Sequence, residues 1–420
     1  MNNNSERKIG RREFVGTTTA AAAGLLFVKP EMVRGSAANS AVRVGLLGCG
    51  GRGTTVAKSM IENGGARVTA VADLFADSLE AAKKNFPDAA ANAFGGARAA
   101  QQIVASKEID AVIIASPPYF HPEHLELAVA AGKHVYLEKP VAVDVHGCKR
   151  VIRAGEKATG KLSLDVGFQI RNAPPFVEMV RRIHAGAIGK IVTAQTYYYT
   201  GALRRPEWPG ASPEQRRLRD WVYDRVLSGD ILVEQGIHVV DICNWVMQTH
   251  PVKASATGGR KARTDHGDCY DHYNILYTYP DNVHVSFNST QFLKGWWDVC
   301  ERFMGTKGVS ESHYSGGVKI MGDEPWDAFP NAAQAQQSAQ FSATGSFSDA
   351  LKDADPEKHK AFIQSIASGQ FHNQAQHGAD SALTGILART AAYTGKEITW
   401  EQLLKSDEKW DAKLDISKLA

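Results

Sequence analysis

A short apolar run, Val42-Arg43-Val44-Gly45-Leu46-Leu47, passes directly into Gly48-Cys49-Gly50-Gly51-Arg52-Gly53 and then into a helix-like stretch from Thr54 to Glu62. A strand, a G-x-G-x-x-G turn and a helix in that order leave the chain few folds. The first glycine permits a tight turn, the second lets the backbone approach a bound group, and the third lets helix and strand pack closely. The helix that opens there presents unpaired amides and the positive end of its dipole to an anion. A second strand, residues 66–72, ends at Asp73, twenty residues after Gly53. A carboxylate at that place accepts both hydroxyls of a ribose and repels a 2′-phosphate. The spacing predicts a dinucleotide site in which Gly48, Gly50, Gly51, Arg52, Gly53 and Asp73 meet the cofactor. NAD is expected, and Arg52 and Lys58 leave NADP open.

The alternation continues. Residues 109–116 read as a buried strand closed by Pro117-Pro118, His121 to Ala131 as a helix ending at Gly132, and residues 134–138 as another strand. Strands alternating with helices imply an α/β fold with a Rossmann-type, doubly wound parallel sheet that binds its ligand at the strands' C-terminal edge. This domain is placed at residues 41–165. Ser116, Pro117 and His121, at the end of one strand, and Glu138 and Lys139, at the end of the next, fall on that edge and join the cofactor contacts.

The first 38 residues read as an address. Gly10-Arg11-Arg12-Glu13-Phe14-Val15 is a twin-arginine pattern, an apolar run follows from Gly16 to Val28, and Gly35-Ser36-Ala37-Ala38 supplies small residues for cleavage. The apolar run is shorter than the ~20 residues a membrane span needs. Export by the twin-arginine route to the periplasm or another extracytoplasmic space is therefore expected. No stable membrane insertion is expected after signal removal, whereas an uncleaved signal would serve as an anchor. The segment holds six Lys/Arg against three Asp/Glu, the whole of the formal net charge of +3. Nothing basic is left over to suggest nucleic acid.

Five cysteines, at positions 49, 148, 243, 269 and 300, form no C-x-x-C pair and no metal-ligand spacing, so buried free thiols and no metal are expected. His121-Pro122-Glu123-His124 has no third ligand in reach and is not read as a metal pair.

Four stretches carry a resemblance to the glucose–fructose oxidoreductase / inositol dehydrogenase (Gfo/Idh/MocA) family: Gly48 to Gly53, Ser116 to His121, Ala131-Gly132-Lys133-His134-Val135-Tyr136-Leu137-Glu138-Lys139-Pro140, and Gly229 to His238. The match extends through Val166 to Arg171 and Gly186 to Ile191. The resemblance implies a second α/β domain with a large, open, mostly antiparallel sheet, here residues 166–400, followed by a tail, 401–420. It also implies a carbohydrate or inositol substrate and a homodimer or homotetramer built through the open sheet. Lys139, the lysine of E-K-P, would touch both nicotinamide ribose and substrate. The family's acid-x-x-x-His pair falls on Glu234 and His238, with Glu in place of the usual Asp.

Oxidising a secondary alcohol needs a hydride acceptor and a group that takes the hydroxyl proton. Lys139 follows a strand's C-terminal end, and Glu234 and His238 lie four apart in the apolar segment Asp230–Val246. Read as one helix, that segment places Glu234, His238 and Asp241 on one face. Lys139, His238 and Glu234 are the expected catalytic residues, with Lys139 or His238 taking the proton. Arg171, Asp241, Trp221 and His272 complete the expected substrate contacts, Trp221 from an Arg-, Pro- and Trp-rich loop, 204–221, that would lie over the sugar. Residues 332–348, rich in Ala, Gln and Ser, read as a long loop. The expected activity is hydride transfer between a tightly held nicotinamide cofactor and a secondary hydroxyl of a sugar, inositol or glycoside. Two other readings stand beside it: an NAD-dependent glycosidase or lyase working through transient sugar oxidation, and a carbohydrate-binding protein with a degenerate cofactor site.

Overall fold

The computed structural model describes residues 41–314, 316–330 and 350–419. The twin-arginine segment and the loop expected at 332–348 lie outside them. Six strands form a parallel sheet: β1 (Arg43–Leu47), β2 (Arg67–Asp73), β3 (Ala93–Gly95), β4 (Ala111–Ile114), β5 (His134–Leu137) and β6 (Leu164–Val166), in the order β3-β2-β1-β4-β5-β6. Their near-continuous apolar sequences suit strands covered on both faces. The covering helices are α1 (Gly51–Gly64), α2 (Ala76–Asn85), α3 (Ala99–Ala105), α4 (His121–Ala130) and α5 (Val145–Ala158). The order reverses between β1 and β4, and the loops that follow those two strands flank the crevice where such sheets bind ligands.

Past β6 come α6 (Pro174–His184), β7 (Ile191–Thr200), α7 (Pro213–Arg219), and the short α8 (Arg225–Ser228) and α9 (Ile231–Glu234) before α10 (Ile237–Met247). Strands β8 (Lys253–Gly259), β9 (His272–Tyr279), β10 (Val283–Gln291), β11 (Asp298–Gly305), β12 (Gly308–His313), β13 (Gly316–Gly322), β14 (Trp326–Asp327) and β15 (Ile398–Thr399) join β7 in a nine-stranded sheet. Its order is β14-β13-β12-β11-β7-β10-β9-β8-β15, antiparallel except for the parallel β7–β10 pair. Strand alternation divides its residues: Tyr198, Tyr273 and Phe287 point into the core, while Leu276 on the other face stays 46% exposed.

Two long helices close the chain, α11 (Ala354–Ser368) and α12 (Ala375–Thr394), followed by α13 (Trp400–Ser406). The sequence groups α11 with the second domain, but its contacts put it on the first. Phe362 and Ile363 are buried with Val56, Met60 and Tyr136, and a Cβ on Gly64 of α1 would come within 2.8 Å of Ile363. Among the described residues no helix is long and apolar enough to cross a membrane, and no group of three or more His, Cys, Asp or Glu is placed to hold a metal ion. All five cysteines are buried free thiols.

Candidate active site

The glycine loop does three different jobs. Gly48 sits at φ +94°, and a Cβ there would come within 2.5 Å of the Ala115 backbone. A Cβ on Gly53 would lie 2.2 Å from the Gly48 carbonyl, so only glycine lets α1 approach the loop. At Gly50 the same test finds nothing within 4 Å. The protein itself does not need that glycine; the open space suits a bound pyrophosphate, with the amides of Gly51, Arg52 and Gly53 opening the helix beside it. Asp73 ends β2 beside the loop and accepts from the amides of Cys49 (2.7 Å) and Phe75 (2.9 Å). Burial pushes its carboxyl up and those two amides draw it back. Gly48, Gly50, Asp73, Ser116 and Pro117 line one cleft. Shape and donor set fit the adenosine and pyrophosphate of a dinucleotide.

Arg52 departs from its expected role. Its guanidinium forks onto Asp355 of α11 at 2.7 and 3.0 Å and donates to Glu138 at 2.8 Å. Glu138 is 4% exposed and fills the space above Gly167, where a Cβ would come within 2.7 Å of it. Arg52 and Glu138 therefore fix the turn that carries Lys139. Sequence alone gave no signal for this pairing, because Asp355 is three hundred residues away. His121 is also corrected. It is 1% exposed, and its two ring nitrogens lie 2.7 Å from the carbonyl oxygens of Ser116 and Pro140. Burial drives the ring toward neutrality, to about 4, while two acceptor carbonyls favour the doubly protonated form. A neutral ring donates to one of the two carbonyls, so His121 is buried between the loop after β4 and the loop after β5 rather than turned to the cleft. The cleft is reached instead by His124, which hydrogen-bonds the Ser116 hydroxyl at 2.9 Å.

Lys139 follows β5, next to β4 on the same sheet edge. Its Nζ donates to the Glu234 carboxylate at 2.9 Å and to the Glu234 backbone carbonyl at 2.8 Å. That carbonyl is available because the segment expected as one helix is two. α9 stops at Glu234, Gln235 and Gly236 intervene, and the His238 amide turns to the Gln235 carbonyl at 3.5 Å. The Gln235 side chain is drawn into the second sheet by Thr200, Gln291 and Thr290. His238 opens α10, its ring stacked 6.3 Å from that of Tyr198 on β7. Among the described residues nothing hydrogen-bonds its ring nitrogens. Burial, then the charges of Lys139 and Arg52, push it well below the usual histidine range. These influences favour the neutral ring, which keeps a nitrogen lone pair to offer. Tyr198 was missed by the sequence reading; the alternation of β7 was its only signal.

Four expected substrate contacts are not at this centre. Asp241, 2% exposed, is held by Arg171 at 2.7 and 3.0 Å and by the Ser381 hydroxyl at 2.8 Å. Arg171 and Asp241 thus satisfy each other, as buried charges must. His272 pairs across the ladder with Thr290, one residue out of step with the inward Ser289–Tyr273 pair, so it lies on the sheet's other face, against Asp271 at 2.7 Å. Trp221 lines the cleft of Gly48 and Asp73, and so does Trp208 from the same loop. That loop covers the nucleotide cleft rather than the carbons next to Lys139.

Two family profiles match the chain: "Oxidoreductase family, NAD-binding Rossmann fold" over residues 42–166 and "GFO/IDH/MocA C-terminal domain" over residues 176–311. Together they take in well over half of it. An inositol 2-dehydrogenase of Rhizobium meliloti (strain 1021) is 32% identical over 242 residues, 56% of this chain and 64% of that protein. One from Acidothermus cellulolyticus is 29% identical over 241 residues, 57% of this chain and 63% of that one. The matched stretch spans a little under two thirds of these relatives' length. Among solved structures, a scyllo-inositol dehydrogenase from Lactobacillus casei with bound NAD(H) and scyllo-inositol aligns with a TM-score of 0.66 at 19% identity, covering 86% of this chain and 99% of that one.

Proposed function

Because the chain belongs to the Gfo/Idh/MocA oxidoreductase family, we propose that it is an NAD-dependent dehydrogenase acting on a secondary hydroxyl of an inositol, sugar or glycoside. The observation that carries this reading is the Lys139–Glu234 contact at the sheet edge that also holds the glycine loop, with the buried His238 ring near enough to feel the lysine's charge. Gly50, the amides opening α1 and Asp73 would hold the dinucleotide, which when bound supplies the hydride acceptor. The neutral His238 ring takes the substrate's hydroxyl proton. Lys139 spends two N–H groups on Glu234 and turns a third to the substrate oxygen, steadying negative charge as the proton leaves. Glu234 fixes the ammonium and offers its second oxygen to a neighbouring hydroxyl. Asp73 supports NAD over NADP, since a 2′-phosphate would meet its carboxylate.

The purified protein incubated with NAD and a panel of inositols, sugars and glycosides should accumulate absorbance at 340 nm with at least one polyol. Glycoside cleavage without net reduction would replace this reading with that of a resident cofactor acting catalytically. No dinucleotide binding at all would leave a degenerate carbohydrate-binding protein.

We further propose export through the twin-arginine signal and a homo-oligomer through the uncovered face of the nine-stranded sheet. Gly10 to Val15 and Gly35 to Ala38 support the first. Exposed Leu276 on that face supports the second. Fractionation of cells carrying an Arg11→Lys, Arg12→Lys chain tests export; light scattering of wild type and Leu276→Glu tests assembly.

A further inference from the structure

Resting on the dinucleotide reading above, we propose that the adenosine half of the cofactor is also bound from outside the nucleotide domain. A roof made of residues 205–224 and 410–419, keyed by Arg219, closes the adenosine cleft and makes the dinucleotide slow to leave. Gly48, Asp73 and Ser116 form one wall of the cleft; Trp208, Leu218, Arg219, Trp221 and Ile416 form the facing wall. Aromatic and aliphatic faces opposite a carboxylate match a purine nucleoside, a flat ring joined to a diol.

Arg219 joins the two walls. Its guanidinium donates to both carboxylate oxygens of Asp77, at 3.0 and 2.7 Å, in the first turn of α2. It also stacks 3.9 Å from the ring of Phe75 and 4.6 Å from that of Trp208. Phe75 and Asp77 follow directly on Asp73, so one side chain of the roof grips the loop that carries the ribose-binding acid. The side chain of Arg219 is 15% exposed, which favours its stacking on the two rings, while its partner Asp77 stays in contact with solvent at 62% exposure.

The roof has a small core and pins of its own. Leu218, Leu227, Ala412 and Leu419 bury one another, with Phe75, Tyr119 and Phe120 packed against them. Gln215 donates to the Leu419 carbonyl at 3.1 Å, Arg217 to the Ala412 carbonyl at 2.6 Å, and the Ala412 amide to the Tyr119 hydroxyl at 3.3 Å. Further back, Trp410 donates its amide to Asp144 at 2.7 Å, and its ring lies 3.8 Å from the Arg389 guanidinium. The adenosine can leave only when Arg219 releases Asp77 and this core parts from Phe75 and Phe120. A barrier of that kind is read in the dissociation rate.

The test loads the full chain with NADH, adds excess NAD, and follows the loss of tryptophan-to-NADH energy transfer. Arg219→Ala should raise the dissociation rate at least tenfold, Arg219→Lys should fall between it and wild type, and Tyr119→Phe and Arg217→Ala, each of which removes a bond to the Ala412 backbone, should each raise it several-fold. Equal rates in wild type, Arg219→Lys, Tyr119→Phe and Arg217→Ala overturn the roof even if Arg219→Ala does not fold. A wild-type protein that gives no NADH signal overturns the dinucleotide reading instead.

Discussion

Lys139 and Glu234 meet twice: one ammonium donates to the side chain and to the backbone carbonyl of the same residue, at 2.9 and 2.8 Å. The second bond exists only because the helix breaks after Glu234 and leaves its carbonyl without an amide partner. The Lys139 ammonium is therefore aimed by a main-chain feature as well as by a carboxylate.

This separates two variants. Lys139→Ala should cut turnover by roughly 10²- to 10⁴-fold, the usual loss on removing a group that handles the proton or its charge, while NAD still quenches tryptophan fluorescence. Glu234→Asp keeps the carbonyl bond and should lose only about tenfold. Steady-state kinetics on the polyol found in the panel decide it; equal losses in the two variants would deny the carbonyl any part in holding the lysine.

The glycines of the loop should respond differently to a side chain. Gly53→Ala drives a methyl toward the Gly48 carbonyl and should cost about 1–3 kcal/mol of stability. Gly50→Val has room and should melt within a few degrees of wild type, yet bind NAD at least tenfold more weakly. Thermal melts with and without NAD check both halves.

The buried ionisable groups fix the direction of the pH dependence. Burial holds His124 at about 3 and His359 at about 4, and the unfolded chain binds their protons near 6.5. The stability they contribute is present above pH 6.5 and is lost as pH falls from there toward 4 and 3. Glu301 runs the other way. Burial, opposed by the Ser312 hydroxyl at 2.7 Å, raises it to about 8. It stays protonated while the unfolded carboxyl ionises near 4.5, so its contribution declines as pH climbs from 4.5 to 8. Glu301→Gln should stabilise the protein increasingly over that interval, by on the order of 2–4 kcal/mol at pH 8. Denaturant melts of the two proteins at pH 5, 6.5 and 8 measure this; parallel curves would mean that Glu301 is already ionised.

Arg171 and Asp241 form a structural pair, and their variants should behave accordingly. Arg171→Ala leaves a carboxylate that is 2% exposed with, among the described residues, Ser381 as its remaining side-chain partner, at a cost of about 3–5 kcal/mol. KM for the polyol should hardly move. A large KM change with an unaltered melt would return Arg171 to the substrate.

The sequence by itself determined the nucleotide domain and singled out Lys139, Glu234 and His238 as candidates. A strand, three spaced glycines and an acid twenty residues on form one continuous stretch whose geometry is local, and E-K-P and Glu-x-x-x-His are short enough for spacing to specify. Tertiary structure alone decided which remaining polar residues face a ligand. Arg52 finds Asp355, Arg171 finds Asp241, and His272 falls on the uncovered face of its sheet, because long-range packing and strand register choose a side chain's partner. The kink after Glu234 is set the same way, by a glutamine drawn into a sheet formed from strands far along the chain. Spacing within a sequence records neighbours along one element, and a buried charge must be matched by whatever the fold brings to it from another.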